Sequence, residues 1–597
     1  MQEQIARRVE LIQAWLIEND LDAFIVAHED EYLGEYVPAH NERLHWLTQF
    51  TGSAGAAVIT RKNAAIFVDG RYTVQVTKQV PNSLFDYCHL IEQPPVKWVT
   101  ETLSVGSRIG IDPRMHRGNW YQNALIQLGN KFELVATDEN PIDMNWSDRP
   151  TPQLSQVRLM PIEKVGQNSQ DKRKALGQAL ATSDADAAII TELDSICWLL
   201  NVRGLDVSRL PVLLAHAILY SDGSTKFFID ESRIEDLSAF DAHVGSGVEV
   251  CAPSSLEEAL KALSGKKVTL DPATSNAWFQ LKLEAYGAKQ LELADPCLMP
   301  KAAKNDIEIS GMKACHIRDG AAMVKFLSWL DKEVADGNLH DEATLSDKLE
   351  SCRQLDESLV DLSFDTISAS AGNAAMCHYN HENQEVPGSL EQDSLYLVDS
   401  GGQYLDGTTD ITRTIAIGNP SDEMKHQFTL VLKGHIGLAC ALFPKGTCGH
   451  QLDVLARQHL WANGFDYDHG TGHGVGHFLS VHEGPQGISK VVNRNALVPG
   501  MVLSNEPGYY RADAFGIRIE NLELVVEKQT QGDLTMYGFE SLTRCPIDKR
   551  NIKTSLLTDS EIQWLNTYHQ TVFSEVSPLV EGDSLDWLSK ACQPLVK

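Results

Sequence analysis

The sequence predicts two tandem α/β modules followed by a larger α+β domain, and three observations carry that reading. A helix-like amphipathic segment leading into a short apolar strand occurs twice. A polar, proline-bearing stretch separates the two occurrences. Beyond a second break the rhythm changes to apolar runs interrupted by single carboxylates, with a segment rich in glycine and histidine.

The first copy opens with Ile5, Val9, Ile12 and Leu16 at helical spacing, followed by the apolar run Ala23 to Val26. In the second, a charged helical lead over 171–183 precedes Asp186, Ala187, Ala188, Ile189 and Ile190, which match Asp22 to Val26 position by position. Trp46-Leu47 is echoed by Trp198-Leu199, and IFVDGR at 66–71 by FFIDES at 227–232, as expected of an internal repeat. The stretch from Asn140 to Leu154 holds three prolines among polar residues and reads as the linker. A second break falls at Pro296 to Asn305, where Asn305 and Glu308 form a capping box opening a helix through about Leu330. The expected domains are therefore 1–153, 154–302 and 303–597. The last ends in a helical appendage, about 538–597, in which Thr558 and Glu561 form another capping box. Leu557 and Ile562 make a staple there, and Leu565 and Val572 continue the apolar face.

Bulk properties narrow the function. A chain of 597 residues is too long for one hydrophobic core. Its 81 acidic and 51 basic residues give a net charge of −30, which argues against nucleic acid or an anionic membrane as partner. Eleven cysteines lack any CxxC pair or disulfide-like spacing, which fits a reducing compartment. The N-terminal twenty residues contain no signal-peptide core, and no apolar run reaches the ~18 residues of a membrane span, so a cytoplasmic address is expected.

Chemistry concentrates in the third domain. In SLYLVDSGGQYLDGTTDITRT, from Ser394 to Thr414, two strand-like runs flank a loop rich in Gly and Asp, which brings Asp399 and Asp410 together as a hairpin would. Carboxylates on one side of a sheet repel unless a hard divalent cation lies between them. Asp406, before Gly407, reads as turn chemistry. The run HGTGHGVGHFLSVHEGP places four histidines, His469, His473, His477 and His482, within fourteen positions, the density of a metal or acid/base site; spacing alone leaves open which of them binds metal. Glu506 and Glu520 each interrupt an apolar strand-like run, and burying an ionised glutamate requires a cation partner. Arg518, two residues before Glu520, shares its strand face and can hydrogen-bond a carboxylate ligand from behind. Two Asp, two Glu and one His form an oxygen-rich donor set suited to manganese, with cobalt or zinc as alternatives.

The order of Asp399, Asp410 eleven positions later, HGTGHGVGHF, NEPG and GIRIEN resembles the pita-bread metallopeptidases, and among them the long three-domain form of aminopeptidase P. HNERLHWLTQFTGSAG, DGRY, KNDIEISGMKACHIRDGAAM and FESLTRCPIDKRNI extend the likeness over essentially the whole chain. The resemblance implies two creatinase-type modules ahead of a pita-bread catalytic domain, two metal ions and a homodimer. It implies Asp399 on one ion, Asp410 and Glu520 bridging both, and His473 and Glu506 on the other. It also implies substrate contacts by His378, His469, His482 and Arg71, and an aminopeptidase acting on peptides with proline in second position through a hydroxide held between the metals, with Glu506 as proton carrier. A prolidase is the nearest alternative, disfavoured because its relatives carry one N-terminal module. A metal-free hydrolase or a non-catalytic pita-bread module would have lost ligands, and all five residue types are present.

Overall fold

A computed structural model of the protein describes residues 2–73 and 75–597. Two compact units emerge. One comprises the chain up to Met160 with Gln167–Ser208 and Val212–Cys297; the other comprises Pro161–Gly166, Arg209–Pro211 and Leu298–Lys597.

The first unit contains two six-stranded sheets of one topology. In the first copy the strand order is Asp86–His89, Ala64–Val68, Gly55–Thr60, Ala23–Ala27, Arg108–Ile111, Glu133–Ala136. In the second it is Val248–Cys251, Thr225–Phe228, His216–Tyr220, Ala187–Ile190, Lys267–Thr269, Lys289–Leu291. Each central strand pairs antiparallel on one side and parallel on the other, and the outer pairings agree as well. The repeat read from sequence is thus a repeat of fold. IFVDGR and FFIDES supply the strand at the same place in each sheet. The helix Gln2–Glu18 buries Ile5, Val9, Ile12 and Leu16 against Phe24, Val26, Trp46 and Leu47, the face its periodicity marked. The linker is more ordered than its composition suggests, because Asn140 caps a short helix, Pro141–Asn145, whose Ile142 is fully buried in that same core.

The second unit is α+β. Asn305 and Glu308 do form a capping box, and the helix they open runs to Ala335. Met323, Phe326 and Leu330 on that helix pack on Tyr396, Val398 and Ile415. Strands Ser394–Ser400 and Ile411–Ile417 pair antiparallel beside Ile367–Ser370. The intervening loop is not a simple hairpin turn, for Gly402–Tyr404 pairs with Gly407–Thr408 on one side and with Leu359–Leu362 on the other. A six-stranded sheet runs Leu442–Pro444, Met536–Ser541, Asn521–Lys528, Val502–Asn505, Gly472–Gly474, Glu483–Ile488. The expected start of the appendage, about 538, lies within the strand Met536–Ser541 of this sheet, where Tyr537 and Phe539 pack on Phe443. The helical part begins at Asp559 with the Thr558–Glu561 capping box, and Leu557, Ile562, Leu565 and Val572 join the core of Val431, Ile436 and Ile517.

Candidate metal centre

Strands and the residues flanking them deliver the acidic and imidazole groups to one place. Asp399 lies opposite Thr412 in the antiparallel pair, and Asp410 immediately precedes the second strand, so Asp399, Asp410 and Thr412 share a sheet face. Glu506 follows Val502–Asn505, Glu520 sits between Phe515–Arg518 and Asn521–Lys528, and His473 is central in Gly472–Gly474. Glycine is required beside His473, since a Cβ on Gly472 would stand 1.9 Å from the Ser504 carbonyl oxygen. Ser504 ties these pieces together: its Oγ accepts from the His473 N–H at 3.0 Å and donates to Glu506 Oε1 at 3.1 Å.

Among the described residues three overlapping groups bring ligand atoms within 4.8 Å of one another: Asp399, Asp410, Glu520; His473, Glu506, Glu520; and Asp410, His473, His482. His473 Nδ1 donates to the Gly474 carbonyl at 2.9 Å, which leaves Nε2 facing Asp410 Oδ2 at 3.5 Å and Glu506 Oε1 at 3.6 Å. Those separations are long for hydrogen bonds and leave room for a cation between the groups. Asp399 Oδ1 is buried with no hydrogen-bond partner. Burial pushes the Asp399 carboxyl up to about 6 against the pull of Arg518, with Asp410 adding to the rise. Burial likewise raises Glu506 and, with repulsion from Asp410, Asp399 and Glu506, lifts Glu520 well above the usual carboxylate range. Burial lowers the His473 imidazole, but Asp410 and Glu506 outweigh it and hold the ring up at about 9. Four crowded carboxylates with an orphaned oxygen and one aimed imidazole fit a pair of hard divalent cations.

Behind the ligands runs a hydrogen-bonded chain that residue spacing only partly revealed. Arg518 Nη2 donates to Asp399 Oδ2 at 2.5 Å, as its strand position suggested, and Nη1 donates to Tyr510 Oη at 2.7 Å. His469 Nδ1 donates to the Gly470 carbonyl, so its Nε2 is the acceptor for the Tyr510 hydroxyl at 2.8 Å. Burial and Arg518 lower His469 to about 3, which keeps it neutral. Thr412 Oγ1 donates to Glu520 Oε2 at 2.8 Å and accepts from Arg518 Nε at 3.2 Å. Tyr510, Thr412 and Ser504 were not singled out from sequence. The period-2 pattern of the Gly508–Arg511 strand could have placed Tyr510 beside Arg518, since Gly508 pairs with Arg518 across the hairpin.

His482 is exposed, its ring 4.4 Å from that of His473 and nearly perpendicular to it. The next residue, Glu483, is buried in an ion cluster with Lys301 and Lys304, which pins the segment from which His482 projects. His378 is exposed beside Cys377. Asp406 is no bare turn residue, because Arg318 donates to its carboxylate at 2.5 Å and Lys164 at 3.3 Å. Arg71 belongs to the first unit, where its guanidinium pairs with Asp69 at 2.7 Å.

Comparison with known proteins agrees with this architecture. Residues 310–527 match the model of metallopeptidase family M24, and 535–595 its C-terminal region. Residues 8–143 and 148–308 match two creatinase/prolidase N-terminal domain models. The chain is 38% identical over its full length to a probable Xaa-Pro aminopeptidase P of Aspergillus flavus, covering 93% of it, and 40% identical to that of Talaromyces marneffei, covering 90%. The crystal structure of an X-prolyl aminopeptidase from Caenorhabditis elegans, described as a cytosolic enzyme with a di-nuclear active site, superposes with a TM-score of 0.91 at 35% identity over 96% of this chain and 95% of that one. With its two creatinase-type modules, its five-residue acidic and imidazole cluster and its full-length relatives, the chain belongs to the aminopeptidase P group of metallopeptidase family M24.

Proposed function

We propose that the protein removes the N-terminal residue from peptides carrying proline in second position, using two divalent ions held by Asp399, Asp410, His473, Glu506 and Glu520. The observation that carries this reading is the convergence of those five side chains, with Asp399 Oδ1 left for a ligand, in a chain whose full-length relatives bear the Xaa-Pro aminopeptidase name. Asp399 would hold one ion, His473 and Glu506 the other, and Asp410 and Glu520 would be shared by the two. Manganese is the expected metal, because four of the five donors are carboxylates. When bound, the pair supplies Lewis acidity at the scissile carbonyl and a nucleophile at neutral pH.

The chain's own groups do the rest. Asp399, beside Arg518, is placed to receive the substrate's free amine, which measures off one residue and makes the enzyme an exopeptidase. Glu506 takes the proton of the attacking water and returns it to the proline nitrogen as the C–N bond breaks. His482, flanking His473 on the exposed side, donates to the developing oxyanion. Neutral His469, oriented by Tyr510, and His378 line the substrate side, and Arg71 is a further candidate substrate contact. We take the working form to be a homodimer in the cytoplasm, which light scattering at micromolar concentration and cell fractionation would check. No described helix is long and apolar enough to cross a membrane.

The test is a panel of Xaa-Pro-Xaa and Xaa-Ala-Xaa tripeptides and Xaa-Pro dipeptides, assayed with and without manganese. Metal-dependent release of the first residue from the proline tripeptides is expected. Cleavage of dipeptides alone would make the protein a prolidase and overturn the proposal.

A further inference from the structure

Arg413 is 1% exposed and donates to six oxygens: the carbonyls of Thr412 (3.0 Å), Glu520 (2.6 Å), Cys545 (2.7 Å) and Pro546 (3.0 Å), Asn521 Oδ1 (2.9 Å) and Tyr568 Oη (3.0 Å). None of these acceptors is a carboxylate. A core guanidinium without a carboxylate is costly to bury, and its cost is offset only when the geometry satisfies every donor, as here. Two of its partners matter most. The Glu520 carbonyl belongs to a proposed bridging ligand, whose N–H also donates to the Thr412 carbonyl at 3.2 Å. Glu520 is thus gripped through its main chain on both sides by two consecutive residues of one strand. Tyr568 lies on the C-terminal helix Asp559–Val576, and its hydroxyl is ringed by Arg413, Asn521 Oδ1 and the carbonyls of Thr543 and Cys545. Next along that helix, His569 Nε2 accepts from the Ile547 N–H at 3.1 Å, tying the helix to the segment that covers Arg413.

We infer that the C-terminal helix is a working part of the metal centre: Tyr568 positions Arg413, and Arg413 positions the main chain of Glu520, so that the appendage sets how well the site holds its ions. The inference rests on the metal-centre reading above. Tyr568 and Arg413 are positioning residues and touch neither substrate nor ion. A helix that merely covered the core would contribute stability alone, and metal affinity would not follow its hydroxyl.

The experiment is manganese titration of metal-depleted, full-length protein by calorimetry, with melting temperatures measured on the same samples. Outer partners of metal ligands typically change affinity about 10- to 100-fold, so Arg413→Lys should weaken manganese binding by about that factor and Tyr568→Phe by about 10-fold, the lower end of that range. Because the two act in series, the double variant should bind like Arg413→Lys alone. Val572→Ala trims buried methyls from the same helix without touching a donor or acceptor; it should lower the melting temperature while leaving affinity within about twofold. The inference fails if Tyr568→Phe binds manganese as wild type does, if losses in the double variant multiply, or if Val572→Ala loses affinity as Tyr568→Phe does. Should Arg413→Lys not fold, Tyr568→Phe against Val572→Ala still decides. Wild-type protein that binds no manganese, cobalt or zinc would instead overturn the metal centre itself.

Discussion

Replacing His482 by alanine tests whether this residue stabilises charge, as proposed, or holds metal. His482 is exposed and follows a strongly anchored frame, since Glu483 is fully buried between Lys301 and Lys304. The substitution should therefore leave the local backbone in place, and stability should move by no more than about 0.5 kcal/mol, as for ordinary surface changes. Its ring stands 4.4 Å from that of His473, close enough to reach a substrate carbonyl polarised at the same centre. His473 points its Nε2 at both Asp410 and Glu506 and has its Nδ1 committed to a carbonyl, the arrangement of a metal-binding imidazole. A donor placed at an oxyanion is worth about 3 to 4 kcal/mol, on the order of 100- to 1000-fold in turnover. His482→Ala should accordingly lose kcat by about that factor while keeping KM and both ions. Steady-state kinetics on a proline tripeptide, with metal content by elemental analysis, gives both readouts. If His482→Ala loses an ion while His473→Ala keeps both, the two histidines have exchanged roles, an outcome left open by the grouping of Asp410, His473 and His482.

Chelation should abolish activity, and manganese should restore it better than cobalt or zinc; full activity in metal-free protein would remove the mechanism. Asp410→Ala should lose more metal than Arg518→Ala, because a bridging ligand serves both ions while an outer contact typically costs about 10- to 100-fold in affinity, and equal metal contents would count against the bridge. Away from the ligands, burial pushes the Glu523 carboxyl up to about 7 despite the Ser541 hydroxyl, which donates to it, and the Asn505 side chain. A carboxyl raised in the folded state gives stability that is complete below its unfolded pKa near 4.5 and is lost as pH rises through 7, roughly 3 kcal/mol in all. Wild type should therefore melt progressively earlier than Glu523→Gln between pH 5 and about 8, and parallel melting curves across that range would refute the burial argument.

What the sequence disclosed depended on whether a residue broke a local expectation. Asp399, Asp410, Glu506 and Glu520 stand out because a carboxylate in an apolar strand is costly, and the structure brings all four together with His473. The repeated modules were legible because the periods of helix and strand differ and recur in the same order. Asn305 and Thr558 were legible because capping chemistry is local. Tyr510, Thr412, Ser504 and Arg413 break no such rule. A tyrosine, a threonine or a serine in a strand is ordinary, and each acquires its part only from a neighbour distant in sequence, such as Glu520 for Thr412. The strand Met536–Ser541 is less legible, because its pairing with Asn521–Lys528 and Leu442–Pro444 joins segments apart in sequence. Its Tyr537 and Phe539 find their partner in Phe443, nearly a hundred positions earlier.

The register of a single strand pair explains how these hidden residues and the visible ligands form one construction. Asp399 stands opposite Thr412 and Val398 opposite Arg413, so the face with Asp399, Asp410 and Thr412 turns to Glu520 while Arg413 projects from the reverse. Side chains alternate strictly along a strand, and a slip of one residue would exchange the two faces. A guanidinium would then occupy the place of the Thr412 hydroxyl among the carboxylates, and the orphaned oxygen of Asp399 would meet a fixed cation instead of an exchangeable one. In the observed register the fixed charge stays behind the sheet, where it holds the Glu520 carbonyl and the C-terminal helix together. The same alternation that places Asp399 and Asp410 among the proposed ligands thus places Arg413 on the opposite face, against the Glu520 carbonyl.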